Sequence, residues 1–340
     1  MKRGYMDWDQ ALLPPQALEY RRATLARQLR REGLDAAVIY GDVNAADELI
    51  DFSNYGPYWC NTAAIITADG RYHLVTGHNA RVNPWICQIT GVDESQITPA
   101  GMKVPQRTAE VLRTLLPQGG SVGLVGKYTL ADSAAALRAA GFSVTSIDRF
   151  TSGLLDARDD AYRAVVGKGH RLMEDALLRV LDGAAGGGSV KQLCAEIEYA
   201  LRSAGAMDVV LLASARGLEF SFPREECPER WNLFVNVQFL GQWLVFGCPV
   251  GASRAGLDAA LDAAAGQLRP GCAPQAAVEG FDIEIKTRVL SDHISSLNHS
   301  GAALAPGQMF SVSACDRTAG TYVEKMFRMD GDGPAALGKI

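Results

Sequence analysis

The chain lacks the marks of a disulfide or structural-zinc scaffold. Its seven cysteines are scattered and odd in number, with no CxxC pair, which points to reduced thiols in a cytoplasm. No basic run marks a nucleic-acid surface, and no apolar stretch approaches the ~20 residues needed to cross a bilayer. The opening segment Met1-Lys2-Arg3-Gly4-Tyr5-Met6-Asp7-Trp8-Asp9 lacks the apolar core of a signal peptide. Histidine is scarce, with five in 340 residues, and none falls between His170 and His293. What is present is ordinary for a soluble protein: 48% hydrophobic residues, 21% charged, net charge −5. The length suggests two domains, each large enough to bury its own core.

Periodicity divides the chain. Leu18, Leu25 and Leu29 recur at helical spacing between Ala17 and Arg31, Gly33 ends that helix, and Asp35 to Tyr40 reads as a buried strand. Strands at Ala63–Ala68 and Tyr72–Thr76 flank the turn signal Asp69-Gly70. Helices at Val104–Leu116 and Thr129–Ala140 then alternate with strands at Val122–Val125 and Ser143–Ile147, predicting an α/β domain that ends near residue 150. Beyond it, long helices are predicted at Asp159–Leu181 and Val190–Ala204, on either side of the linker Gly183–Ser189. Strands at Val209–Leu212, Leu233–Phe239, Trp243–Phe246 and Gln308–Ser313 follow, interrupted by a helix at Leu257–Leu268. Helices first and antiparallel strands after them predict an α+β domain, with helices on one face of a curved sheet.

Several segments carry a family resemblance. Leu304-Ala305-Pro306-Gly307-Gln308-Met309-Phe310-Ser311-Val312-Ser313 precedes Val323-Glu324-Lys325-Met326-Phe327, and Leu155-Asp156-Ala157-Arg158-Asp159-Asp160 leads into the long helix. Arg21 to Leu25 leading to Gly33-Leu34-Asp35-Ala36-Ala37-Val38 completes the set. In this order they resemble the creatinase/prolidase/aminopeptidase P superfamily, the pita-bread hydrolases. The resemblance implies a creatinase-like α/β domain over residues 1–155 and a pita-bread domain over 156–340. It also implies a homodimer in which an N-terminal loop of one subunit covers the other's site.

Most members of that superfamily bind two divalent metals through five side chains. The resemblance sets these positions at Asn236, near Gly247, at His293 (in Asp292-His293-Ile294-Ser295-Ser296-Leu297-Asn298-His299), Ser313 and Glu324, so only His293 and Glu324 keep a usable ligand. Two divalent cations about 3.5–4 Å apart need several anionic oxygens, which an amide, a bare glycine and a hydroxyl do not supply. No metal and no other cofactor is therefore expected. Creatinase itself works without metal, using a histidine and glutamates for proton transfer, and carries asparagine at the position matching Asn236. Its histidine position falls here near Glu219, so that role does not transfer directly.

These residues lead to two expectations. One is a metal-independent enzyme cleaving a C–N bond, by hydrolysis or elimination, in a small amino-acid-like or guanidino-type substrate. Glu324 and His293 would then transfer protons, Glu219 and His299 would assist, and Asn236 and Ser313 would bind substrate. Tyr58 and Trp59, in the loop Asn54 to Cys60, would close over it. The other is a pseudoenzyme of the same fold that binds a small ligand or a protein partner. Each residue also has a bland reading: Glu219 as a solvated loop residue, His293 and His299 as loop histidines, Tyr58 and Trp59 as aromatic core. Cys248 reads as a small buried residue or as a thiol in the pocket, and His73, His78 and His170 as strand-end, loop and helix-surface residues.

Overall fold

The computed structural model describes residues 8–43, 45–126, 130–147, 159–183, 189–214, 219–223, 229–273, 284–289 and 303–338. The chain forms two compact units, Met1–Leu155 and Asp156–Ile340.

In the first unit, helix α1 (Pro15–Arg31) starts with proline at its first turn and buries Leu18, Leu25, Ala26 and Leu29. Gly33 follows at φ +68°, a left-handed conformation that ends the helix cheaply only for glycine. Strand β1 (Ala36–Gly41) is buried along its whole length, as befits a strand paired on both edges. It lies between β2 (Thr62–Thr67), antiparallel, and β5 (Ser121–Val125), parallel. With β3 (Tyr72–Thr76), β4 (Ile97–Pro99) and β6 (Ser143–Ser146) they make a six-stranded mixed sheet in the order β4-β3-β2-β1-β5-β6. Helices α2 (Asp47–Ser53), α3 (Asn83–Thr90), α4 (Val104–Leu115) and α5 (Leu130–Ala139) complete the unit.

The second unit opens with α6 (Asp160–Gly183) and α7 (Val190–Ser203), the latter N-capped by Ser189 Oγ accepting from the Gln192 amide. An antiparallel sheet follows, built from β7 (Asp208–Ser214), β8 (Trp231–Phe239), β9 (Gln242–Val250), β10 (Glu284–Val289), β11 (Met309–Asp316), β12 (Thr321–Asp330) and β13 (Gly333–Ala336). Their order is β10-β11-β12-β9-β8-β7, with β13 on β12. Helix α8 (Ala255–Ala265) lies on one face: Leu257, Leu261, Ala264 and Leu268 pack on Phe310, Val312, Val323 and Phe327. Burial of each of the leucine, valine and phenylalanine side chains stabilises the fold by roughly 1.5–3 kcal/mol. Lys325, between Val323 and Phe327, reaches Asp258 of α8 at 3.1 Å. Helix α6 covers β8 and β9 on the same side. A side chain at Gly169 would stand 2.7 Å from Leu244 and 2.8 Å from Phe239, so the glycine lets helix and sheet approach closely.

His170 corrects one expectation. It is not a helix-surface residue but is 2% exposed, with Gly338 of the C-terminal segment seated against it. His78 is a loop residue, as expected, and a buried one.

Candidate functional site

Period-two alternation sends Val323 and Lys325 toward α8 and Tyr322, Glu324 and Met326 to the other face. The register then assembles a row across four strands. Phe234 of β8 stands opposite Gly247 of β9, Gly247 opposite Glu324 of β12, and Glu324 opposite Ser313 of β11. Asn236 is two residues further along β8 on the same face. Four of the five positions singled out by sequence therefore share one face of one sheet. Phe234 and Ser313, at the two ends of the row, are half-buried, while Glu324 is 1% exposed.

Strands β9 and β12 pair through a single register point, Glu324 with Gly247. One step away, the Val245 amide donates to Met326 Sδ at 3.2 Å in place of a carbonyl, and β13 takes the edge of β12 from Phe327 onward. The sheet parts beside Glu324.

Glu324 is held by hydroxyls. Ser311 Oγ donates to its Oε1 at 2.6 Å, and Tyr322 donates from its phenol to Oε2. Tyr322 is fixed in turn by Asn232, whose Oδ1 accepts from the Tyr322 amide at 2.9 Å and whose Nδ2 donates to the Gly320 carbonyl at 2.8 Å. Phe220 meets the Tyr322 ring edge-on, with centroids 5.0 Å apart, and lies 5.8 Å from Phe234. Three rings thus line the row beside Gly247. Asn236 is 3% exposed, and its Oδ1 has no hydrogen-bond partner among the described residues. A buried acceptor left open in this way is uncommon in a folded protein.

The other candidates fall as follows. Glu219 is exposed, and it is its neighbour Phe220 that reaches the row. Cys248 points to the helix side of β9, opposite in sense to Gly247, and burial pushes its thiol up to about 12; it is a core residue, not a pocket nucleophile. His293 and His299 lie outside the described residues. In the first unit, Tyr58 is half-buried and Trp59 is exposed. Their rings, with Tyr55 and Trp85, surround His78 at centroid distances of 4.8 to 6.4 Å. Sequence reasoning passed over Tyr322, Ser311 and Asn232. The i, i+2 spacing of Tyr322 and Glu324 was the available signal.

The described residues do not fit a pair of metals. One carboxylate stands in the row, and no group of three or more His, Cys, Asp or Glu side chains gathers to hold an ion. What they offer is a recessed carboxyl group, an open amide carbonyl and ring faces.

Solved structures share this architecture. The prolidase from Pyrococcus furiosus superposes with a TM-score of 0.73 over 94% of this chain and 99% of its own, at 12% identity. The X-Pro aminopeptidase from Thermotoga maritima MSB8 gives 0.71 over 94% and 97%, at 14% identity. The Xaa-Pro dipeptidase from Bacillus anthracis gives 0.72 over 95% and 98%, at 15% identity. No protein-family model matches the sequence, and no curated protein matches it. The fold is the pita-bread fold, divergent in sequence from these peptidases. Among the described residues no helix is long and apolar enough to cross a membrane.

Proposed function

We propose that this protein uses the pita-bread fold as a metal-free pocket for a small nitrogen-bearing molecule, amino-acid-like or guanidino-type, rather than as a dinuclear peptidase. The observation that carries this reading is the row Gly247–Glu324–Ser313, three adjacent register positions with one carboxylate among them. A pair of divalent cations needs bridging and neutralising oxygens that this row lacks. The groups that remain favour a ligand rich in N–H donors: the open Oδ1 of Asn236 and the recessed carboxyl of Glu324 are both acceptors. In this proposal the protein is a cytoplasmic homodimer, and Tyr58 and Trp59 of the aromatic loop contribute to closing over the ligand.

A second reading has its own support. Glu324, buried and oriented by two hydroxyl donors, is built like a proton-transfer group. The protein would then cleave a C–N bond without metal, with Glu324 and His293 moving protons, Glu219 and His299 assisting, and Ser313 and Asn236 holding substrate.

Elemental analysis after incubation with manganese, followed by desalting, tests the first reading. Less than one equivalent per chain is expected, and two would overturn it. A thermal-shift panel of amino acids and guanidino compounds should find a stabilising ligand whose effect disappears in Asn236→Leu. If Glu324→Gln abolishes turnover of such a compound while the fold is kept, the second reading replaces the first.

A further inference from the structure

We propose that Tyr322 is a specificity-determining residue of this site: its ring occupies the volume that a metal-binding carboxylate at position 247 would need, so the site is closed to metal by packing as well as by missing charge. The inference rests on the metal-free reading above and goes beyond it. A lost ligand alone would leave an empty notch that one substitution could refill, whereas here the notch is filled.

A β-carbon at position 247 would lie 2.9 Å from Cδ1 of the Tyr322 ring, closer still to its Cε1, and 3.2 Å from Cβ of Glu324. Gly247 shows no left-handed φ, so its backbone is open to any residue and conformational freedom does not explain the glycine. Space explains it. Gly247 faces Glu324 across the single β9–β12 pair, and Tyr322 is the diagonal neighbour on the same face, within reach of an aromatic side chain. The ring does not yield easily. Asn232 clamps its backbone amide, Phe220 abuts its edge, and its hydroxyl donates to Glu324. The same hydroxyl and that of Ser311 occupy lone pairs of the two Glu324 oxygens that would otherwise face a cation.

Two experiments test this. Gly247→Ala adds one methyl group against the ring, and overpacking of this kind should lower the Tm by about 3–10 °C. In a Tyr322→Ala background the same change should have almost no further effect, because the colliding ring is gone. Gly247→Ala as stable as the parent, or equally costly in both backgrounds, would overturn the proposal. For metal, Asn236→Asp, Gly247→Asp and Ser313→Glu are combined with Tyr322 intact and with Tyr322→Ala, and Mn2+ is titrated while its free-ion electron paramagnetic resonance signal is followed. The variant carrying Tyr322→Ala should remove free Mn2+ from solution at least tenfold more tightly than the variant that keeps the tyrosine. Equal uptake by both overturns the proposal, while two equivalents of manganese on the parent protein would instead overturn the metal-free reading.

Discussion

At Glu324 the two carboxyl oxygens accept hydrogen bonds from the hydroxyls of Ser311 and Tyr322 inside a nearly closed environment. Removing one partner of a buried hydrogen bond costs about 1–3 kcal/mol. Ser311→Ala and Tyr322→Phe should each lower the unfolding free energy by that order in urea titrations; a change below the precision of the method in both would mean that water replaces the hydroxyls. Cys248 gives a second prediction. With its thiol raised by burial and turned toward the helices, it should resist a thiol reagent in the native protein at mildly alkaline pH and react once urea unfolds the chain, and rapid native labelling at Cys248 would refute its core placement. Glu324 and Asn236 drew attention in the sequence through their places in the motifs that carry the resemblance, and the register sets both on one face of the sheet. Tyr322 was not, because tyrosine is an ordinary strand residue and only the register shows which glycine it covers.

Among the elements, long helices and interior strands were legible because they repeat their period several times: α1, α4, α6 and α7 fall where spacing predicts them. Helices α2 and α3 are too short to print a period. Strand β9 runs on through Gly247, Cys248 and Pro249 to Val250, beyond the predicted end at Phe246, because tertiary pairing with β8 overrides the weak strand preference of glycine and proline. Gly169 belongs to this scale as well. Gly169→Val should push α6 off β8 and β9 and lower the Tm of the second unit by many degrees, read by circular dichroism; an unchanged Tm would show that α6 does not need the close approach.

At the scale of the molecule, two buried histidines among the described residues tie stability to pH. Burial lowers the pKa of His78 and of His170, the latter partly offset by Glu174. Each folded value therefore lies below the unfolded one near 6.5. Between them the unfolded chain binds more protons, so the stability these residues contribute is whole above about pH 6.5 and is lost as pH falls through that value toward the folded pKa. Tm should decline on acidification below about pH 6.5, and the decline should flatten in His170→Gln and His78→Phe. An identical slope in both variants would assign the effect to other groups. The two-unit, pita-bread organisation was legible from the order of the motifs, since order survives when each motif is weak. Which side chains gather around Glu324 was not legible, because that depends on which of them share a face.

The pairing of Tyr322 with Gly247 also bears on which substitutions the two strands accept. While the ring is in place, any side chain introduced at 247 collides with it. While the glycine is in place, losing the ring opens a hole and strips Glu324 of a donor. Each single change is destabilising, so the two positions are coupled and are exchanged at least cost together.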